Sequence, residues 1–225
     1  YDVIVSRGIE YSSFHIKQLA LGPGQMQRVE AVLARVVDSG GYISGDFHVH
    51  AINSSHAPVT NKQRVLSNLA EGVELLISTD HNFLTDYMPV IRRMGATELI
   101  HSYIGNEVTT FDYGHFIGFP LVINEAFLNG GALDWAVGDP GSLPSLTPGT
   151  LIEELKRLTS DGIVQVNHPR GDMLQDHFDA IRLDTNTLES NSDPKRFRLP
   201  EGTSNIFSDR FNAIEVLNGY KAGGP

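Results

Sequence analysis

Two stretches decide the fold class: Tyr42-Ile-Ser-Gly-Asp-Phe-His-Val-His50 and Val73-Glu-Leu-Leu-Ile-Ser-Thr-Asp-His81. Each is a short apolar or alternating run with β-branched residues, and each ends abruptly in histidine and acid. Between them Thr60 opens a helix with Gln63 three residues on, a capping-box spacing, and Gly72 closes it. A strand, a helix and a second buried strand form the repeating unit of an α/β fold with a mostly parallel sheet.

Working outward, the same alternation continues. Asp86–Met94 reads as a helix ending at Gly95, and Glu98–Thr109 as one strand. Asp112-Tyr-Gly114 is a turn into a strand over His115–Phe119. The spacing predicts a hairpin centred near Phe111, with Glu107 opposite His115 and about 5 Å between their Cβ atoms. Residues 129–149 are rich in Gly and Pro and read as a loop. Thr150 and Glu153 suggest a second capping box, for a helix ending at Asp161-Gly162. Gly162–Val166 is a strand, and Phe211–Leu217 is another. Residues 182–206 are polar and long for a structural loop, so they read as a lid or a disordered stretch. Residues 1–40 differ: short runs such as Asp2–Ser6, His15–Ala20 and Gln27–Leu33 suggest a β-rich lead-in or the tail of a preceding β domain, the last run being readable as a helix too. Residues 41–225 then form the α/β domain.

Composition narrows the function classes. The chain has 225 residues, a net charge of −10 and no cysteine. Disulfides, thiolate zinc sites and a cysteine nucleophile are excluded. So acidic a surface repels a nucleic-acid backbone, and no basic patch interrupts it, so nucleic acid is not an expected partner. No apolar run reaches the length of a membrane-spanning helix, so membrane insertion is not expected. The absence of cysteine fits cytoplasm and export alike, with the balance towards an exported, periplasmic or secreted chain. Oligomeric state is not legible.

The chemistry lies at the strand ends, where α/β folds collect their functional groups. In Asp46-Phe-His-Val-His50, alternation points Asp46, His48 and His50 to one face, and two imidazoles so placed can grip a metal ion. A lone His-x-His is weak evidence, since a satisfied histidine pair has the same spacing. Ser78-Thr-Asp-His-Asn82 adds Asp80, His81 and Asn82, although a helix cap would explain the acid and the amide equally. Gly105-Asn-Glu-Val-Thr109 adds Glu107, which beside His115 could bridge two cations. Val166-Asn-His-Pro-Arg170 adds His168 and Arg170, whose planar fork suits phosphate or carboxylate. Five imidazoles and one glutamate on one rim make a cluster of divalent cations the natural reading. His56 is a further candidate ligand. Zinc, manganese and iron all suit such donors, and two or three ions are expected.

These motifs in this order resemble the polymerase-and-histidinol-phosphatase (PHP) superfamily: Asp46-Phe-His-Val-His50, Thr79-Asp-His81, Glu107, Gly114-His115 and Asn167-His-Pro169. Ala70-Glu-Gly-Val73 and Thr79-Asp-His-Asn82 are most similar to its carbaryl-hydrolase-like (CehA/McbA) branch. The resemblance covers about residues 41–219 and implies a distorted (β/α)7 barrel, which the chain would leave incomplete at its C-terminal side. It implies that His48, His50 and Glu107 hold a first metal, that Glu107, His115 and His168 hold a second, and that His81 belongs to a third. Two departures stand out. Asn53-Ser-Ser-His56 lacks the family's carboxylate after His-x-His, leaving His56 as a substitute, and the family's late Asp-x-His is not met before Pro225.

The activity so implied is metal-dependent hydrolysis of a small-molecule ester, first a phosphate ester, by a hydroxide shared between cations. Arg170 would bind the anionic part of the substrate or steady charge in the transition state, Asp80 would orient a ligand or carry a proton, and Asn82 would touch substrate. The rival readings are an amidohydrolase-like or carbamate-ester hydrolase, and a metal-binding domain without catalysis.

Overall fold

The computed structural model describes residues 1–136, 146–171, 176–216 and 218. The chain begins with β1 (Val3–Val5) and β2 (Phe14–Ile16), an antiparallel pair that joins no other sheet. Gln27–Leu33 forms neither strand nor helix, and no residue before Val49 is buried.

From Gly45 the expected alternation appears. The strand β3 (Gly45–Val49), helix α1 (Asn61–Ala70), strand β4 (Leu75–Ser78), helix α2 (Met88–Arg93) and strand β5 (His101–Ile104) form a parallel sheet in the order β3-β4-β5. Thr60 caps α1 through the predicted reciprocal box with Gln63, and Gly72 leaves the helix at φ +80°. Val49, Val65, Leu76, Tyr87, Ile91 and Ile100 pack between this sheet and its two helices.

The run 98–109 is not one strand. Gly105 divides it into β5 and β6 (Asn106–Thr109), and the two halves pair in different sheets. A Cβ at Gly105 would lie 2.9 Å from Ile77 Cγ2 and 3.1 Å from the Ser78 carbonyl oxygen, so two backbones meet there as closely as glycine allows. From that point β7 (His115–Phe119) runs antiparallel to both of its neighbours, β6 and β8 (Ile163–Val166), and β11 (Ala213–Ile214) adds parallel to β8. One parallel bridge, His81 to Glu107, ties the two sheets together.

This architecture overturns the (β/α)7 barrel. Such a barrel needs parallel strands with a helix after each and a closed ring. Here two successive connections are antiparallel, four short α-helices occur among the described residues, and none of the small sheets closes. A hairpin turn at Asp112–Gly114 replaces a helical crossover, and hydrophobic alternation looks the same on both sides of such a turn.

Three smaller expectations are also corrected. Helix α3 (Pro148–Leu158) begins at Thr147, whose hydroxyl accepts from the Thr150 N–H, with Pro148 at the first helical position. Thr150 therefore lies inside the first turn and is not the cap. Positions 137–145 of the expected Gly/Pro-rich loop lie outside the described residues, as does Leu217 at the end of the expected last strand. Residues 182–206 are neither lid nor disordered. They carry a small hairpin, β9 (Leu183–Asp184) with β10 (Glu189–Ser190), then a 3-10 turn, Pro194–Phe197. Helix α4 (His177–Ala180) precedes them. Phe197, Leu199 and Ile206 enter the second core beside Tyr113, Phe116, Leu151 and Val164. Three well-spaced apolar residues suffice to anchor a polar segment.

Phe197→Ala should therefore destabilise the chain by about 3–5 kcal/mol, as for a fully buried aromatic. Urea unfolding would show it. A loss near zero would return the segment to the surface.

Candidate metal centre

Glu107 is the centre of the site, with no solvent exposure. Its Oε1 accepts from Asn167 Nδ2 at 2.7 Å and lies 3.1 Å from His48 Nε2, 3.2 Å from His115 Nδ1 and 3.7 Å from His168 Nε2. Its Oε2 lies 2.7 Å from His81 Nδ1 and 3.3 Å from His50 Nε2. The predicted histidines His48, His50, His81, His115 and His168 thus surround one carboxylate. Burial works to raise the Glu107 pKa, but hydrogen bonds from His115, His168, His48 and His81 outweigh it and hold the carboxyl well below its ordinary range.

The geometry between Glu107 and His115 differs in register from the expected one. Thr109 faces His115 across the hairpin and Glu107 faces Ile117. Glu107 and His115 are diagonal neighbours on one face, still within reach of long side chains.

Hydrogen-bond direction fixes how three of the rings are turned. His48 Nδ1 lies 2.9 Å from Glu215 Oε1 and His168 Nδ1 lies 3.0 Å from Asp176 Oδ1. Carboxylates only accept, so each Nδ1 carries the proton. For His50 the argument takes one more step. Asp80 accepts from Ser54 Oγ at 2.7 Å, from Thr85 Oγ1 at 2.6 Å and from the Ala51 N–H at 2.7 Å. The single Ser54 hydroxyl proton is thereby used, so Ser54 Oγ accepts from His50 Nδ1–H at 3.0 Å and from the His81 N–H at 3.1 Å. His48, His50 and His168 consequently turn Nε2 towards Glu107. The two ring nitrogens His48 Nε2 and His50 Nε2 stand 3.0 Å apart.

Nitrogen lone pairs facing one another and a carboxylate require a cation between them. In the metal-free chain a proton can serve. Burial lowers the His48 pKa, but its bonds to Glu107 and Glu215 prevail and push it up to about 10. Burial, only partly offset by Glu107 and reinforced by His81 and His48, pushes His50 down to about 3. His168 is raised, its bonds to Glu107 and Asp176 overcoming burial. Two buried polar atoms of the candidate ligands find no aligned hydrogen-bond partner among the described residues: Glu107 Oε2 and His115 Nε2. Three overlapping groups could each hold a metal ion: His48–His50–Glu107, Glu107–His115–His168 and His50–His56–His81, each with ligand atoms within 4.8 Å of one another. The donor set of imidazoles and one carboxylate suits zinc and other first-row divalent ions.

The strand exits that carry these ligands are unusual in backbone. His168 has φ 24° and Asn82 has φ 49°, both in the left-handed region that side chains disfavour. Each is held there by a specific bond, His168 N–H to Glu215 Oε2 at 2.8 Å and Asn82 N–H to the Glu107 carbonyl at 3.0 Å. A cavity of about 600 Å³ opens over the cluster, lined by the six imidazoles of His48, His50, His56, His81, His115 and His168 with Thr109 and Asn218 at its edge.

The other predicted site residues lie elsewhere. Arg170 pairs with Asp179 at 2.8 Å, leans over the Phe178 ring and does not line this cavity. Asp80 is wholly buried behind His50 and acts on that ring through the Ser54 hydroxyl, as a positioning carboxylate. Asn82 spends both ends of its amide on the Thr109 backbone. His177 is buried away from the cavity, bonded to the Tyr113 carbonyl, and burial lowers its pKa to about 4. Sequence reasoning missed Glu215, Asp176 and Ser54. Glu215 directly follows a strand, the position at which every other acid was weighed.

No protein-family model matches this sequence, and no curated protein matches it.

Metal binding should release a proton, because His48 must lose the one it holds. With its pKa raised from 6.5 to about 10, the ring is protonated throughout the neutral range, so affinity should climb as pH rises from 6 to 9. In the metal-free chain the same shift stabilises folding below pH 6.5, and that contribution fades as pH passes about 10. Zinc titrations in buffers of different ionisation enthalpy would detect the release; no buffer dependence would mean that His48 is already neutral.

Ser54→Ala should weaken metal binding roughly 10–100-fold, the range typical of groups that orient a ligand, and cost about 1–3 kcal/mol of stability, because Asp80 and the His81 N–H lose a buried partner. Ser54→Thr should restore most of the affinity. Chelator competition measures both.

Proposed function

We propose that this chain is a metal-dependent hydrolase of small phosphate esters. The observation that carries the reading is the sharing of Glu107: one buried carboxylate belongs to two adjacent candidate metal groups, beneath an open cavity. Two-metal sites of this kind polarise a substrate oxygen and lower the pKa of water towards neutrality. The first group would comprise His48, His50 and Glu107, the second Glu107, His115 and His168, and His81 with His56 and His50 a third. Zinc, manganese or iron would suit them.

The residues around the ligands then have defined tasks. Glu215, Asp176 and the Ser54–Asp80 pair hold Nδ1–H of three rings and so aim Nε2 at the site. His56 is exposed, and desolvation together with His81 lowers its pKa below the usual imidazole value, so it is available as a neutral ligand at the cavity mouth. Thr109 Oγ1 touches His81 Nδ1 and stands at the cavity edge, where it can orient a bound oxygen. The order of motifs resembles that of the PHP superfamily and supports the same reading. The open sheets add nothing to that resemblance. Arg170, tied to Asp179, has no part in the proposed site.

A metal-binding domain without catalysis is the second reading, favoured by the absence of a carboxylate in Asn53-Ser-Ser-His56. The test is turnover of p-nitrophenyl phosphate and its bis ester by zinc- or manganese-loaded chain, with a neutral carbamate ester alongside. Glu107→Gln should lose on the order of 10²-fold in kcat/KM or more, the scale of removing a single electrostatic group, and more than any single His→Ala. Metal bound in full with no turnover above free metal would leave the second reading standing.

A further inference from the structure

A second cavity of about 400 Å³ adjoins the first and shares His48, His50 and His56 with it. Its remaining wall is Ala57, Pro58 and Val59 on one side and Asp46 and Arg64 on the other. Arg64 is half-buried on the first turn of α1. Its Nε donates to the His50 carbonyl at 2.7 Å, which fixes the guanidinium beside the metal centre. Among the described residues it makes no ion pair, although the chain carries 27 acidic residues. Asp46 is the nearest acid in the cavity, yet its carboxylate bonds the His48 N–H at 3.2 Å and stays beyond ion-pair distance. Arg170, the arginine that follows His168, is by contrast already matched to Asp179.

A half-buried, oriented and unpaired guanidinium is unfavourable unless something anionic completes it. Arg64 keeps its two NH2 groups, the pair that grips a carboxylate or phosphate in parallel. The apolar wall of Ala57, Pro58 and Val59 would seat the carbon chain between two charged ends. We propose that this cavity is the subsite for a second, non-reacting oxyanion of the substrate, held by Arg64, so that the preferred substrates are esters carrying a carboxylate or phosphate away from the reacting phosphorus. The inference rests on the phosphoesterase reading for what occupies the larger cavity.

Binding separates the two ideas. The probes are methylphosphonate and phosphonates bearing a carboxylate one or two carbons away, titrated calorimetrically into zinc-loaded chain. The carboxylated probes should bind roughly 10–100-fold tighter than methylphosphonate, the worth of one charge-assisted pair. Arg64→Met should erase that difference and leave methylphosphonate affinity and zinc content unchanged, whereas Arg64→Lys should keep part of it. If Arg64→Met loses zinc, Arg64→Lys decides: a variant with full zinc and a reduced preference for carboxylated probes supports the subsite, and one with an undiminished preference overturns it. Equal affinity of the wild type for all probes also overturns it. Preferential binding without turnover of any ester would leave the subsite intact and sink the hydrolase reading instead.

Discussion

A carboxylate with no solvent exposure has to be neutralised by its surroundings, and in this chain the surroundings are five imidazoles and an amide. Burying a lone ionised glutamate would cost several kcal/mol. The ligands arrive from β3, the exits of β4 and β8, and the start of β7, while Glu107 itself sits on β6. The carboxylate also lies where the two sheets touch, since Ser78, His81 and Asn82 tie to Gly105 and Glu107 there, with a further bond from the Leu121 N–H to the Ile104 carbonyl. The relative placement of the sheets and the geometry of the cluster are therefore linked at this residue.

What turns this polar knot into a cation site is the outer ring of acceptors. Glu215 is 167 residues from His48 in sequence, and the single bond between them decides which nitrogen of that ring faces inward. Asp176 does the same for His168, and Asp80 does it for His50 by using up the Ser54 proton. Had Ser54 been free to donate, His50 could have turned its proton towards His48 and satisfied the cluster by itself. With three Nδ1 positions committed, the inward nitrogens are lone pairs, and the site holds a proton or a metal.

The sequence made the chemistry more legible than the architecture. Alternation in Asp46–His50 and the runs ahead of His81 and His168 placed the imidazoles at strand exits, and Thr60 with Gln63 marked a helix start that the structure retains. Neither inference depends on what the strand pairs with. The strand over 98–109 failed because Gly105 reads as a weak point within a strand, whereas its part is to let Ser78 and Gly118 approach from two sheets. The hairpin register slipped by two residues because Thr110 and Gly114 close the turn through a side-chain bond, from Thr110 Oγ1 to the Gly114 carbonyl at 2.7 Å, that no pattern displays. Arg170 shows the limit of chain proximity: it follows His168 by two residues, yet its side chain pairs with Asp179 and does not line the cavity. Glu215 stood at a strand end like the other acids, but its role depends on a ring 167 residues away, which the sequence does not display.

Charge decides what such a site can accept. Glu107, Glu215 and Asp176 converge on it from inside a chain of net charge −10, and the imidazoles offset them only to the extent that they hold protons. Without cations the rim would repel a phosphate ester, and Arg64 at the margin of the neighbouring cavity is too little to reverse that. Loaded with two divalent ions, the same rim gains four positive charges, which offset Glu107, Glu215, Asp176 and the Asp80 behind His50. Under the hydrolase reading, affinity for an anionic substrate is thus set by the metal load, and a basic residue at the rim would add little. An arginine such as Arg170 is accordingly given over to a surface ion pair, while the Arg64 guanidinium, which makes none among the described residues, borders the neighbouring cavity.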